Sequence, residues 1–474
     1  MSPPLTLRNL TSTPIALKVI ERYSSPAATG IGAGLGNLAS NFTSFTNNVT
    51  QTIGVKLPTG PTNKELAGNA ESFAREEVDI RVEPFTANHT DKQTTERAPD
   101  EVLRLTFEID DQRYRIDVPL PVRHTRELTC LQPDPRHKLT AIYVPNESYL
   151  SILFSSNLDN WMHDLADHTP ISALSIPGTH NSPTHYKALV SVRCQAVSPR
   201  EQLNNGVRFF DIRVQPENPT DPSKDGLILV HGVFPISLTG NKYFRDLVNE
   251  TLRFLDEHPS ETVIISLKRE GPGEHNDQQL ARIMRDHYAG DESRWWTEPR
   301  IPKLGEARRK IVLLRRFCLD DDGKHAHDGR GWAIDGENWA YNTPNDRHGD
   351  VIVQDFCEVL ETENIDTKIK FATEHLERAG CCACPDDDNA QPPPLFLNFL
   401  SASNFWKVGC WPEKIAAKLN PAVINHIAVR HVMSGEGDWG TGIVVCDWVG
   451  DQGDWDLVRC IVGMNGKLMM RQRR

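Results

Sequence analysis

No stretch of this sequence approaches the roughly 20 consecutive apolar residues that a membrane-spanning helix needs. The chain opens MSPPLTLRNL, with no basic segment leading into an apolar run, so neither a bilayer span nor a secretory leader is expected. Positive charge is also scarce. Lys and Arg number 52 against 64 Asp and Glu, a formal net charge of −12. That balance argues against broad nucleic-acid binding and against tight electrostatic docking on anionic membrane. The ten cysteines have no disulfide-like spacing. Three of them, Cys381, Cys382 and Cys384, cluster in CCACPDDD. No second ligand pair stands at zinc spacing, so a surface loop of reduced thiols is a plainer reading than a metal or redox centre. A location in the cytoplasm, or peripheral on a membrane, is the expectation. The sequons at Asn41 and Asn146 would matter only in a secreted chain.

What is present falls into two patterns. At 474 residues the chain is long enough for two or three domains. Up to about residue 148 it alternates apolar and polar residues in short runs, as in EVLRLTFEID and QRYRIDVPLPV. Such strands, bounded by Pro, Asn and Asp, predict an antiparallel β-sandwich-like domain over 1–148. A Gly-, Ser-, Thr- and Asn-rich stretch interrupts it, predicting a flexible loop near 27–68. Leu35, Leu38, Phe42 and Phe45 recur there at helical spacing, but without Lys or Arg a membrane-touching helix is the weaker reading.

Over 149–474, short apolar runs alternate with helical stretches at 242–258 and 364–379. Eight strand candidates can be counted: ALSIPG, VRFFDIRV, LILVHG, TVIISLKRE, KIVLLRRF, VIVQDF, LFLNFLS and GIVVCDW. Eight strands with intervening helices predict an α/β fold, a (β/α)8 TIM barrel. The second and third runs are too close for a full crossover helix, so the barrel should be distorted there.

In such a barrel the chemistry sits at the C-terminal ends of the strands. Those ends supply His180 and Asn181, Asp211 and Arg213, His231, Lys268 and Glu270, Asp355, and Asp447. One neutral imidazole can take a proton and a protonated one can deliver a proton elsewhere. A guanidinium between them suits charge building on phosphate oxygens. This set fits cleavage of a phosphodiester by the substrate's own hydroxyl, with a carboxylate such as Asp447 orienting the base. Singly, each residue is more ordinarily structural: a strand-end His satisfied by hydrogen bonds, or Asp355 capping the following helix. The recurrence of one strand position is what gives the set weight. Five tryptophans near strand ends, Trp295, Trp296, Trp332, Trp406 and Trp448, are candidates for an interfacial rim or for packing.

Residues 161–447 resemble the X domain of the phosphatidylinositol-specific phospholipase C family, closest to its bacterial type within the PLC-like phosphodiesterases. The carrying segments are SIPGTHNS, GVRFFDIR, LILVHGVF, TVIISLKRE and GIVVCDWVG, in that order. The resemblance implies a TIM barrel that cleaves phosphatidylinositol, or a related inositol phospholipid, to diacylglycerol and a cyclic inositol phosphate. It implies His180 as general base for the inositol 2-hydroxyl, Asp447 as its orienting carboxylate, and His231 as general acid for the leaving group. Arg213 is implied as the phosphate clamp, with Asp211 its acidic neighbour. Lys268 is implied as an inositol contact, and Glu270 and Asn181 fall on the substrate side of the set. The bacterial pattern has Asp after the His, where Asn181 stands.

Calcium-dependent relatives place a carboxylate where Arg213 stands. Calcium is therefore disfavoured, and no cofactor is expected. The expected partner is a phospholipid at a membrane surface, with the β domain docking membrane or protein. Two other readings compete. One is a phosphodiesterase acting on another head group, but related barrels that do so need an acidic metal cluster. The other is a catalytically weak lipid-binding module, which would not need an acid–base pair.

Overall fold

The computed structural model describes residues 3–24, 66, 70–95, 101–120, 123–221, 223–385, 390–433 and 435–472. The loop expected near 27–68, including Leu35, Leu38, Phe42 and Phe45, lies outside the described residues except for Leu66. The chain divides into two compact units, one running to Ile152 and the other from Leu153 onward, with Leu10–Ser12 counted in the second.

The first unit contains two five-stranded sheets. The first sheet holds β1 (Pro4–Asn9), β4 (Thr86–Gln93), β7 (Thr125–Glu127), β9 (Leu139–Val144) and β10 (Tyr149–Phe154). The second holds β2 (Ile15–Tyr23), β3 (Ala74–Val82), β5 (Val102–Ile109), β6 (Gln112–Val118) and β8 (Thr129–Cys130). Alternation explains the burial. Leu103, Leu105, Phe107 and Ile109 point inward from β5, and Tyr114, Ile116 and Val118 do so from β6. The antiparallel expectation needs one correction. β1 pairs with β10 in parallel, Thr6 opposite Tyr149, because the two strands are far apart in sequence and no tight turn constrains their direction.

The second unit is built on a sheet in which β11 (Ile176–Thr179), β12 (Phe209–Pro216), β15 (Val263–Arg269) and β17 (Ile311–Arg316) run in parallel. On the other side of β11, β22 (Ile443–Cys446), β21 (Leu395–Phe399) and β20 (Val351–Gln354) continue the parallel order. Every residue of β11, β21 and β22 is buried, as expected of strands covered on both faces. Helices Phe244–Glu257 and Asn364–Gly380 fall on the two helical stretches expected from sequence. Short strands complete the sheet: β13 (Leu227–His231), β14 (Phe234–Pro235), β16 (Trp295–Trp296), β18 (Ile334–Asp335) and β19 (Asp346–His348).

Two features differ from a regular barrel. LILVHG, expected as the third parallel strand, is β13, and it pairs antiparallel with β12 and with β14. The ten residues between Pro216 and Leu227 are too few for a helical crossover, so the chain turns straight back. The other is β18, two residues paired in parallel with β17, which no apolar run announces. Among the described residues no ladder joins β18 to β20, so the hydrogen-bonded wall stays open there.

Candidate active site

The glycine of SIPGTHNS has a steric origin. A Cβ at Gly178 would stand 2.9 Å from the Phe209 ring, so only glycine lets β11 and β12 approach. The strand then delivers His180, whose amide donates to the Cys446 carbonyl at 3.0 Å. The His180 Nδ1–H donates to Asp447 Oδ1 at 3.0 Å, and Asn181 Nδ2 donates to Nε2 at 3.0 Å. The tautomer therefore presents an Nε2 lone pair. Burial weakens the imidazole's hold on a proton. Asp447 and then Cys194 outweigh that and raise the His180 pKa well above the ordinary histidine value. Asp447 is itself buried, and His180 is the partner that its carboxylate after three apolar residues required.

His231 ends β13. Its Nδ1–H donates to the Val192 carbonyl at 2.8 Å, and the Cys194 thiol lies 3.8 Å from the same nitrogen. Burial lowers its pKa, and the Cys194 sulfur more than compensates, so the net direction is upward. The His180 and His231 rings stand edge to face, centroids 5.8 Å apart. One imidazole has a carboxylate behind it and the other does not.

Arg213 lies beside the pair. Its Nη2 donates to Asp211 Oδ2 at 2.9 Å, its Nε to Oδ1 at 3.2 Å, and its Nη1 to Glu270 Oε1. Both carboxylates are already neutralised. Asp211, fully buried, also accepts from Arg316 Nη1 at 3.4 Å, and Glu270 from Lys268 Nζ at 3.3 Å and the Gly232 amide at 2.9 Å. Burial raises the Glu270 pKa, but Arg213 and Lys268 carry it far below the usual carboxylate range. Burial, then Arg213, lowers the Lys268 pKa.

A cavity of about 540 Å³ opens over this set, lined by His180, Arg213, His231, Lys268, Glu270 and Asp355 among others. Three expected residues do not line it. Asp447 reaches it through His180 and Asp211 through Arg213. Asn181, expected on the substrate side, turns its amide onto His180. Asp355 does not cap a helix; its Oδ2 accepts from the Trp339 indole at 3.0 Å. Of the tryptophans, Trp295, Trp296 and Trp332 are buried packing residues, whereas Trp406 is 89% exposed at the cavity mouth. Trp448 lies under the Arg193 guanidinium at 4.6 Å.

Two members escaped sequence reasoning. Arg316 lines the cavity from the end of β17, its guanidinium 4.0 Å over the Trp339 ring. The strand-end rule that found Arg213 points to the arginine pair in KIVLLRRF but does not say which of the two faces the cavity. Cys194 sits in a loop with no pattern to mark it.

Residues 168–317 match the model of the family described as phosphatidylinositol-specific phospholipase C, X domain. The chain is 28% identical over 300 residues to a 1-phosphatidylinositol phosphodiesterase of Listeria monocytogenes, covering 61% of this chain and 80% of that protein. It is 25% identical to one from Staphylococcus aureus (strain Newman), covering 64% and 93%. Human PI-PLC X domain-containing protein 2 is 27% identical over 169 residues, covering 30% and 50%. A solved phosphatidylinositol-specific phospholipase C of S. aureus shares the fold at 22% identity and a TM-score of 0.51, covering 65% of this chain and 97% of that one. Such neighbours are TIM barrels, and the parallel strands β11, β12, β15, β17, β20, β21 and β22 follow that plan. Residues 168–317 are therefore similar to the X domain of the phosphatidylinositol-specific phospholipase C family.

Proposed function

We propose that this chain cleaves phosphatidylinositol, or a related inositol phospholipid, as a metal-independent phosphoric diester lyase. The inositol 2-hydroxyl displaces the Asn181 amide from His180 Nε2 and gives that nitrogen its proton, and the hydroxyl oxygen attacks phosphorus. The bond from phosphorus to the diacylglycerol oxygen breaks. His231 Nε2 gives that oxygen its proton. The products are diacylglycerol and a cyclic inositol phosphate. Arg213 stabilises the charge on the phosphate oxygens, while Asp211 and Glu270 hold its fork in place. Lys268 and Glu270 face the inositol hydroxyls.

The observation that carries this reading is the asymmetry of two imidazoles flanking one cavity. His180 has Asp447 behind it and His231 does not, which separates a base from an acid. The substrate class is supported by the names of the relatives. Independence from calcium is supported by charge: Asp211 and Glu270, the carboxylates beside Arg213, are each already bound by cationic side chains, so neither is left to coordinate a hard cation. We further read the strands up to about residue 148 as a β-sandwich-like domain, with 149–474 the catalytic domain. Membrane contact at the cavity mouth is assigned to Trp406, with Phe405 stacked on Phe234 at 5.5 Å behind it.

The test is incubation of the full chain with phosphatidylinositol vesicles in EDTA, followed by phosphorus NMR, with His180→Ala alongside. A cyclic inositol phosphate signal that the variant lacks is the expected result. Product that appears only after calcium is added would overturn metal independence. No product under either condition would move the head group elsewhere, or make the chain a binding module.

A further inference from the structure

A second cluster of metal-ligand atoms lies away from the cavity. Glu377, His426 and His431 each offer one ligand atom, and these atoms all lie within 4.8 Å of one another. Glu377 stands in the last turn of helix Asn364–Gly380 and His426 in the last turn of helix Pro412–Val429. His431 follows the second helix. His431 Nε2 lies 3.1 Å from the Trp439 carbonyl and 3.3 Å from that of Gly440, just before β22. Asp447 follows the other end of β22. The cluster and the catalytic pair thus belong to opposite ends of one strand.

The hydrogen bonds set a specific problem at this point. His431 Nε2–H donates to carbonyls, so its Nδ1 turns a lone pair toward Glu377 Oε1, 3.0 Å away. The same oxygen faces His426 Nε2 at 2.7 Å. The Val432 amide already donates to Glu377 Oε2 at 3.0 Å. A lone pair and a carboxylate oxygen at contact need a cation between them, either a proton or a metal. The rest of the arrangement is what metal ligands require: an imidazole whose far nitrogen is fixed by a backbone carbonyl, and a carboxylate held by a backbone amide. Two imidazoles and one carboxylate are a zinc-type donor set, with water as the fourth ligand. The Glu377 side chain is 37% exposed, which leaves that fourth position open to solvent. Tetrahedral zinc places its ligands about 3.3 Å apart, so the two Glu377–His contacts at 2.7 and 3.0 Å would each open by about 0.3–0.6 Å. Among the described residues, the thiols of Cys381, Cys382 and Cys384 join no such trio.

We propose that Glu377, His426 and His431 form a structural binding site for a zinc-type divalent transition metal. The ion would tie the ends of two helices to the entry of β22. It would raise stability without taking part in turnover.

The other trio of this kind, His180, Cys194 and His231, must be kept apart from it. The experiment therefore titrates Co²⁺ and Zn²⁺ into the full chain and its Cys194→Ser variant, with His426→Ala and Glu377→Gln made in both. The expected result is one Co²⁺ bound in Cys194→Ser, with visible d–d bands and no near-ultraviolet thiolate band. His426→Ala and Glu377→Gln should bind at least about tenfold more weakly, the smallest loss seen even for outer-sphere partners. Zn²⁺ at about 100 times its Kd should raise the melting midpoint by about 5 °C, and EDTA should reverse it. No binding in Cys194→Ser overturns the proposal, as does binding unchanged by His426→Ala and Glu377→Gln. In either case the cluster is held together by a proton alone.

Discussion

Arg208 and Arg213 stand five residues apart, one just before β12 and the other within it, and both are held in ion pairs. Arg208 is sealed, its side chain fully inaccessible beside Glu261. Its Nε donates to Glu261 at 2.8 Å, and its terminal nitrogens donate to the carbonyls of Leu158, Asp159, Leu203 and Val207. Every donor is spent on the fold. Arg213 gives its donors to two carboxylates, and its side chain keeps 12% exposure toward the cavity. The lesson is that burial and charge do not by themselves separate a structural arginine from a functional one. What separates them is whether neutral carbonyls close the fork, or ionic partners hold it while one edge stays open.

The hardest test of this distinction lies at the chemical end. Asp447→Asn should lower kcat by about 10⁴-fold with an unchanged melting midpoint, because an amide leaves His180 in the wrong tautomer. A large drop in stability instead would make Asp447 a fold residue like Glu261. Next, Arg208→Met should cost about 3–5 kcal/mol, since it strands Glu261. It should lower the melting midpoint by roughly 10 °C and leave turnover per folded molecule intact. Arg213→Lys should do the reverse, losing about 10²–10³-fold in kcat with little thermal effect. If the two arginine variants exchange these outcomes, the comparison collapses.

A smaller effect concerns pH. The base must be neutral, and Asp447 holds the His180 pKa above the ordinary histidine value. The kcat/KM profile should therefore rise with pH through a midpoint above 6.5. In Asp447→Asn the residual activity should rise at lower pH, and an unmoved midpoint would assign the limb to another group. The smallest expected effect is at the rim. Trp406→Ala should cost about tenfold on vesicles, the order of one lost aromatic insertion, and nothing on a soluble inositol phosphodiester.

How much of this could be read beforehand depended on pattern strength. The strand VIISLKR announced itself because five buried residues run into a charged end. The same was true of IVVC before Asp447. β18 did not, because two residues carry no periodicity. β13 looked like its parallel neighbours because an apolar run does not encode direction; only the short connection to β12 hinted at the reversal. The resemblance assigned roles to His180 and Arg213, but the turn of the Asn181 amide onto His180 depends on a backbone at φ 40°, which no motif spells out. Arg316 was missed although its strand was seen, since two adjacent arginines leave open which one faces the cavity.

The reversal at β13 has a consequence for how such a site changes over time. His180 directly follows β11, which is paired on one side with β22 and on the other with β12, so moving it means rebuilding the barrel. His231 rides on a hairpin paired to β12 at only one edge, with β14 as its other neighbour. That hairpin can lengthen, shift or be exchanged while the sheet stays intact. The two halves of the proposed acid–base pair therefore differ in evolvability: the proposed proton acceptor is fixed by the architecture, while the proposed proton donor sits on a replaceable cassette.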